Sequence, residues 1–259
     1  MIFDINAYVG PYPFRALRTR TAAELVAHLD RNGIRRALVS SLPAVFYRDT
    51  HRGNEELWAE VAPFRARLVP VATVNPKYPG WERDLAEAVE RWPARAVTLV
   101  PEHHGYTLEE PAGQAALRRI EAAGVPLLLT QRFEDRRQRH AWDRAEDLKV
   151  TSVYAAAQAF PRLRFVLSNW AGLDGAKLAE AGLRGRVLID FARMQVLFRE
   201  EVPKLIAALG VEAIAFGSHT PFDYIGGSLV KLANLDALGA AELERVAWRN
   251  AVEFLRIEA

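Results

Sequence analysis

Residues 94–129 read ARAVTLVPEHHGYTLEEPAGQAALRRIEAAGVPLLL, and they hold the pattern that decides the fold. Two short apolar runs, RAVTLV and VPLLL, lie on either side of the longer amphipathic stretch PAGQAALRRIEAAG. Such runs are typical of strands that are covered on both faces, and the stretch between them has helical spacing. Because a helix rather than a short hairpin links the two runs, the strands are predicted to pair in parallel.

The same alternation continues in both directions and occurs eight times. Eight strand-plus-helix units predict an α/β fold of the (β/α)8 TIM-barrel type, similar to metal-dependent hydrolases, in one domain over residues 1–259. A doubly wound open sheet is the main alternative, but no Gly-x-Gly-x-x-Gly or phosphate-loop motif follows an early strand. The predicted strands are MIFDI, RRALVS, RLVPVATV, RAVTLV, VPLLLT, RFVLS, RVLID and AIAFG.

Composition excludes several classes of function. The 34 basic and 32 acidic residues nearly balance, which argues against nucleic acid as the main partner. The chain has no cysteine, so disulfides, thiolate metal sites and a cysteine nucleophile are ruled out. No apolar run reaches the roughly 18 residues of a membrane span, and no leader precedes the first strand, so we expect a cytoplasmic protein without membrane contact. The sequence leaves open whether it forms a homo-oligomer.

A barrel places its functional groups at the C-terminal ends of its strands. In this chain the predicted strand ends carry mainly polar and basic side chains, which indicates a small-molecule substrate. These residues are Asn6, Tyr8, Ser40, Ser41, Asn75, Glu102, His103, His104, Thr130, Gln131, Arg132, Asn169, Trp170, Asp190, Arg193 and His219.

Five segments, in order, resemble the amidohydrolase-related family, which includes barrel hydrolases and decarboxylases similar to aminocarboxymuconate semialdehyde decarboxylase and pyrone dicarboxylate lactonase. The segments span nearly the whole chain: FDINAYVG, residues 94–129, RFVLSNWAG, IAFGSHTPF and RNAVEFLRI. The resemblance implies the TIM barrel and a divalent metal, usually zinc, that activates water. The family holds this metal with His-x-His on the first strand, one histidine each on the fifth and sixth, and the aspartate of Gly-Ser-Asp on the eighth.

Every expected ligand is changed in this sequence. His-x-His reads Asn6-Ala7-Tyr8, the fifth-strand histidine falls on Thr130 or Gln131, the sixth becomes Asn169, and the aspartate becomes His219. An amide oxygen or a phenol is a poor replacement for imidazole or carboxylate on zinc. We therefore expect no catalytic zinc at this position and no other cofactor, while a divalent metal at a different site is left open.

The resulting hypothesis is a metal-independent, lactonase-like hydrolase that acts on a small carbonyl or carboxylated compound, such as a lactone or an ester. In this scheme His219 activates water while Asn6, Tyr8 and Asn169 donate hydrogen bonds to the developing oxyanion. An arginine anchors the substrate carboxylate. Substrate-binding candidates are Arg15, Glu102, His103, His104, Gln131, Arg132, Trp170 and Arg193.

Two alternatives stand beside this hypothesis. The changed ligands also fit a barrel that has lost catalysis and persists as a ligand-binding or partner protein. The other alternative is a hydrolase or decarboxylase with a relocated metal, which His219 holds together with Glu102 and either His103 or His104. For each histidine the simpler reading is a residue satisfied by local backbone groups, and the charged segment 131–143 reads equally as a salt-bridged surface loop.

Overall fold

The computed structural model describes residues 1–195 and 200–258. Its strands follow the chain order, and each pairs in parallel with the next. The predicted TIM barrel is confirmed. The strands are β1 (Phe3–Val9), β2 (Arg36–Ser41), β3 (Leu68–Pro70 and Ala72–Val74), β4 (Val97–Leu99), β5 (Leu127–Thr130), β6 (Phe165–Ser168), β7 (Val187–Asp190) and β8 (Ile214–Ala215).

Strand β3 has two segments because the chain changes partner at Val71. The Val71 amide donates to Val39 of β2 at 2.9 Å, whereas the next amide, of Ala72, donates to Ala96 before β4 at 3.2 Å. The neighbouring residues Val71 and Ala72 therefore join the two halves of the ring into one sheet.

Backbone hydrogen bonds between the first and last strands close the barrel. The Ile5 amide donates to the Phe216 carbonyl at 3.0 Å, and the Tyr8 amide donates to the Thr220 carbonyl at 2.9 Å. Strand β8 is shorter than the predicted run AIAFG, since regular pairing ends at Ala215 and the chain then turns into the mouth. A closed ring leaves no exposed sheet edge.

The helices surround the ring. Their bounds are α1 (Ala22–Arg31), α2 (Leu42–Phe46), α3 (Thr50–Val61), α4 (Trp81–Glu90), α5 (Pro101–His104), α6 (Pro111–Ala123), α7 (Val150–Ala159), α8 (Gly175–Glu180), α9 (Glu201–Leu209), α10 (Ile225–Ala233), α11 (Ala240–Glu244) and α12 (Asn250–Leu255). A π-helical turn, Arg245–Arg249, joins the last two. Within the described part of the chain, no helix is both long and apolar enough to cross a bilayer.

Helix α1 shows how local sequence sets these elements. Thr21 and Glu24 form a reciprocal capping box at its start, which satisfies two backbone amides. Leu25 and Leu29 lie on one face and are fully buried against the strands. The helix ends before Gly33, whose φ of +69° suits glycine best.

The core has two layers. A large cluster packs between the strands and the surrounding helices. A second cluster fills the barrel interior, with Phe3, Ile5 and Leu38 among its members, and Ala251 and Leu255 of α12 close it at the N-terminal end. Burial of each such leucine or phenylalanine contributes about 1.5–3 kcal/mol. This packed floor leaves the opposite end of the barrel as the open mouth.

Candidate active site at the barrel mouth

A buried polar layer lies directly above the apolar floor. Side chains two residues apart on a strand point the same way, so the floor residues Leu38, Val71, Leu128 and Val166 are each followed by an inward polar residue. The polar layer comprises Ser40, Thr73, Thr98, Thr130, Ser168 and Asp190, all buried. Strand periodicity therefore brings hydroxyls and one carboxylate to the base of the mouth.

Asp190 of this layer belongs to a series of contacts between three fully buried side chains. Asn6 Nδ2 donates to Asp190 Oδ2 at 2.8 Å, and Asn6 Oδ1 lies 3.3 Å from His219 Nδ1. The other ring nitrogen, Nε2, lies 2.7 Å from the backbone oxygen of Phe133. His219 thus has both nitrogens engaged, one from β1 and one from the loop that follows β5.

The Phe133 carbonyl can only accept, so Nε2 of His219 carries a hydrogen. Two arrangements of protons then satisfy the hydrogen bonds that link Asp190, Asn6 and His219. Both arrangements contain the same number of protons. In one, Asp190 is ionised and His219 is an imidazolium that donates through Nδ1 to Asn6. In the other, Asp190 is protonated, the Asn6 amide is reversed, and neutral His219 accepts at Nδ1. In neither arrangement does a free nitrogen lone pair of His219 face the mouth.

Burial dominates the electrostatics of this region. Desolvation raises the pKa of Asp190 and lowers the pKa of His219, although Asp223 and Asp190 oppose the shift at the histidine. Burial also raises the pKa of Asp4 to about 7, against hydrogen bonds from Ser218 and the Asn6 amide. Both directions favour the neutral forms of the buried groups.

Asn169 and His219 sit at strand ends with left-handed backbones, at φ of +57° and +58°. Such conformations cost non-glycine residues energy and concentrate at functional sites. Here they turn both side chains toward each other, with Asn169 Nδ2 3.2 Å from His219 Nε2. Asn169 Nδ2 donates to the Arg132 carbonyl at 2.7 Å, while its Oδ1 is buried with no partner among the described residues.

A cavity of about 390 Å³ opens above His219 and Asn169. The rings of Phe133 and Phe222 form its apolar walls, and the Phe222 ring stacks on His219 with centroids 5.1 Å apart. Its size suits a small molecule. Its charged lining residues are Arg15, Arg132, Glu134, Asp135, Arg137, Arg193, Asp223 and Lys231.

Two of the acidic groups in this lining are neutralised by ion pairs. Glu134 is buried and accepts from Arg15 Nε at 2.5 Å and from the Tyr12 hydroxyl at 3.0 Å. Asp135 pairs with Arg132 at 2.8 Å. The contacts of Glu134 with Arg15 and Tyr12 also tie the first loop, residues 10–21, to the fifth loop, residues 131–149.

Arg193 and Lys231 differ from the other cations of the lining, because neither forms an ion pair with a carboxylate among the described residues. Arg193 Nη1 donates to Gln131 Oε1 at 2.5 Å, and Lys231 Nζ donates to the carbonyls of Phe191 and Ala192. Burial lowers the pKa of both groups, with nearby carboxylates opposing the shift. The cavity therefore has two partly desolvated positive charges available to an anion.

Of the residues that the sequence singles out, the structure brings His219, Asn169, Arg15, Arg132 and Arg193 to this cavity. Gln131 does not line it but holds Arg193 and accepts from the Ala171 amide at 3.3 Å. The other predicted site residues lie elsewhere.

Asn6 and Tyr8 lie beneath the cavity rather than on its surface. Asn6 reaches it only through His219, and the Tyr8 hydroxyl bonds to Thr130 Oγ1 at 3.1 Å. Neither lines the cavity, so neither is placed to donate directly to a substrate oxyanion. They support His219 instead, Tyr8 through an edge contact of its ring.

Four of the predicted substrate contacts need correction. Trp170 has no exposed surface and donates Nε1 to the Leu129 carbonyl at 2.9 Å, so it belongs to the core. His104 Nε2 contacts the Ala44 carbonyl, and His103 packs against Phe133 and Phe46. Glu102 also lies outside the lining, and burial raises its pKa to about 7.

Sequence reasoning missed Lys231, Asp223 and Glu134. Lys231 comes from α10 and Asp223 from the turn before it, and neither directly follows a predicted strand. The run GSHTPFDY offered a signal for Asp223, since it lies four residues after His219. Nothing local in the sequence marks Lys231, because its approach depends on the path of the chain after β8.

The residues at the family's ligand positions do not fit a catalytic divalent metal. They supply one imidazole, whose nitrogens are engaged, together with amides and hydroxyls that bond to each other and to backbone. Within residues 1–195 and 200–258, no three His, Asp or Glu side chains converge as a metal site requires. Glu102, His103 and His104 do not converge on His219 either, so the relocated site of the third hypothesis is not assembled.

Comparison with known proteins agrees with the fold. A 5-carboxyvanillate decarboxylase from Sphingomonas paucimobilis superposes with a TM-score of 0.77 at 16% identity, over 99% of both chains. A 2,6-dihydroxybenzoate decarboxylase from Rhizobium gives 0.71 at 15%, and a putative amidohydrolase from Staphylococcus aureus gives 0.74 at 11%, each over 99% of both chains. No curated protein sequence matches the chain. The amidohydrolase family model matches residues 11–257, and the chain therefore belongs to the amidohydrolase family.

Proposed function

We propose that this protein hydrolyses a small carbonyl compound that carries a carboxylate, such as a lactone or an ester, without the family's metal. The observation that carries the proposal is the pair Arg193 and Lys231, two cations that lack a carboxylate partner within the described residues and line one cavity with His219 and Asn169. An anion in the cavity compensates for their partial desolvation. The solved decarboxylases of similar fold act on aromatic acids, which supports an acidic substrate class.

In this proposal the walls and the cations have separate tasks. Phe133 and Phe222 cover the apolar part of the substrate and exclude water from it. The planar fork of Arg193, held by Gln131, receives the carboxylate. Lys231 has three N–H groups, of which backbone carbonyls occupy two, so one is left for the oxygen on which charge develops.

The experiment is a panel of small lactones and esters, each offered with a free carboxylate and as its methyl ester. Substrate loss is followed by proton NMR and carbon dioxide release by a coupled assay, in buffer that contains a chelator. Turnover of a carboxylated member with at least tenfold preference over its methyl ester supports the proposal. Release of carbon dioxide without ring opening or ester cleavage means that the reaction is a decarboxylation and not a hydrolysis.

A second candidate is binding without turnover, and one observation favours it. Both nitrogens of His219 are occupied by Asn6 and Phe133, so the histidine is not free to take a proton from water. Saturable binding of carboxylated panel members, measured by calorimetry, with no product after prolonged incubation is the result that selects this candidate.

A further inference from the structure

A hydrolase that works without a metal needs a group that accepts a proton from water, and His219 is not free for that task. Its Nε2 hydrogen is directed to the Phe133 carbonyl, and its Nδ1 faces Asn6. A proton acceptor must therefore come from another residue that lines the same cavity.

Three carboxylates line the cavity, and two of them are committed. Glu134 accepts from Arg15 and Tyr12, and Asp135 accepts from Arg132 and Arg137. The third, Asp223, is exposed and its side chain forms no hydrogen bond or ion pair among the described residues.

Asp223 is positioned by the same turn that positions His219. Its backbone amide donates to the His219 carbonyl at 3.2 Å, and that of Phe222 donates to the same oxygen at 3.0 Å. The carboxylate lies close enough to influence both His219 and Lys231, since it raises the pKa of each against the lowering by burial. The group that can take a proton and the cation that can stabilise negative charge thus line the same cavity.

We propose that Asp223 is the general base of the hydrolytic reaction, an inference that rests on the function proposed above. The Asp223 carboxylate takes a proton from a water molecule while the water oxygen bonds to the substrate carbonyl carbon. The carbonyl π bond breaks, and its electron pair becomes an alkoxide oxygen near Lys231. When the carbonyl re-forms, the bond to the ring or ester oxygen breaks, and Asp223 returns its proton to that leaving oxygen. One water is consumed, and Asp223 ends in its starting state.

The test compares Asp223→Asn and Asp223→Glu with the wild type on the carboxylated substrate identified in the panel. Asp236→Asn is the matched control, because Asp236 is also exposed and lies in the loop after α10, outside this cavity. We expect Asp223→Asn to lower kcat by about 100-fold or more, since general bases contribute roughly 10²- to 10⁴-fold to the rate. KM is expected to change by less than about threefold. Asp223→Glu is expected to recover a large part of kcat, and Asp236→Asn to match the wild type.

Two results overturn the inference in distinguishable ways. In the first, the wild type turns the substrate over and Asp223→Asn retains more than about a third of kcat. Asp223 is then not the base, and the proposed function stands. A wild-type protein that binds the panel without turnover removes the proposed function, and the role of Asp223 with it. Circular dichroism and a binding isotherm for Asp223→Asn show that a loss of kcat is not a loss of folding.

Discussion

The backbone oxygen of Phe133 lies 2.7 Å from Nε2 of His219, and this hydrogen bond joins the fifth loop to the end of β8. The resemblance to the family's Gly-Ser-Asp motif assigns this histidine to the aspartate position, and its hydrogen-bond partners are a carbonyl and an amide. A ring held in this way supports the cavity floor. It does not present a lone pair to a substrate.

The first prediction concerns the protonation of this ring. Nitrogen NMR of labelled protein is expected to show Nε2 of His219 protonated across neutral pH, because the Phe133 carbonyl can only accept. A ring with hydrogen on Nδ1 alone contradicts the assignment. The signal is assigned to His219 by its loss in His219→Gln and its persistence in His140→Gln, which changes an exposed histidine of the fifth loop.

The same burial gives a pH effect on stability. The pKa of His219 is lowered in the folded protein, so the unfolded chain takes up a proton first as the pH falls below about 6.5. The contribution of this group is present above that pH and is lost below it. Urea unfolding at pH 7 and pH 5.5 is expected to show a smaller loss of stability for His219→Gln than for the wild type.

The buried carboxyl of Asp4 has the opposite effect on how stability depends on pH. Burial raises its pKa from 3.8 to about 7, so the folded protein holds a proton that the unfolded chain has already lost. Stability from this group is present below pH 4 and declines as the pH rises to about 7, by up to about 4 kcal/mol at 1.36 kcal/mol per pKa unit. Asp4→Asn can keep the bonds to Ser218 and to the Asn6 amide. We expect its free energy of unfolding, relative to the wild type, to rise between pH 4 and pH 7, and a constant difference contradicts this.

Arg193 is predicted to hold the ligand's carboxylate, while Lys231 faces the oxygen on which charge develops. Removing the positive charge of Arg193 by Arg193→Gln is expected to weaken binding of a carboxylated ligand roughly 10- to 100-fold, as for hydrogen bonds to charged groups. Arg52→Gln is the control, since Arg52 is exposed and pairs with Glu56 on α3. Calorimetry measures the affinities. Equal binding of the ligand and its methyl ester by the wild type contradicts the prediction.

Trp170 lies in the core rather than at the cavity, so its replacement is expected to affect stability and not ligand binding. Trp170→Phe leaves the Leu129 carbonyl without its donor in the core and is expected to cost about 1–3 kcal/mol of unfolding free energy. Trp142→Phe is the control, because Trp142 is 80% exposed and its replacement is expected to change stability by less than about 0.5 kcal/mol. Ligand affinity at low temperature is expected to be unchanged in both. A weaker affinity in Trp170→Phe alone returns this residue to the site.

The barrel was predictable because strand and helix periods repeat along the whole chain. Eight alternations without a nucleotide-binding motif favour a closed parallel ring over an open sheet, and several residues directly after the predicted strands line the cavity. Asn169, Arg193 and His219 were found in this way. The interruption of β3 follows from the change of partner at Val71, and β8 is short because regular pairing ends at Ala215. A local run of apolar residues records neither feature.

The remainder of the site depends on direction and distance. Trp170 and Asn169 are neighbours in sequence, but one turns into the core and the other into the mouth because Asn169 adopts a left-handed backbone. Lys231 reaches the same cavity from a helix twelve residues beyond His219. His103 and His104 follow a strand as Asn169 and His219 do, yet their short helix carries them to neighbouring backbone and aromatic groups.

The last prediction concerns the metal that the family implies. Untagged protein, purified without chelator, is expected to contain well below one equivalent of zinc, manganese or iron, because one engaged imidazole with amides and hydroxyls is a weak donor set for such ions. Dialysis against a chelator is expected to leave both carboxylate binding and turnover unchanged. About one equivalent of metal that is lost in His219→Gln and kept in His140→Gln contradicts the prediction. That result means that His219 exchanges its bond to Phe133 for a metal, and the fifth loop must then move away from β8 on loading.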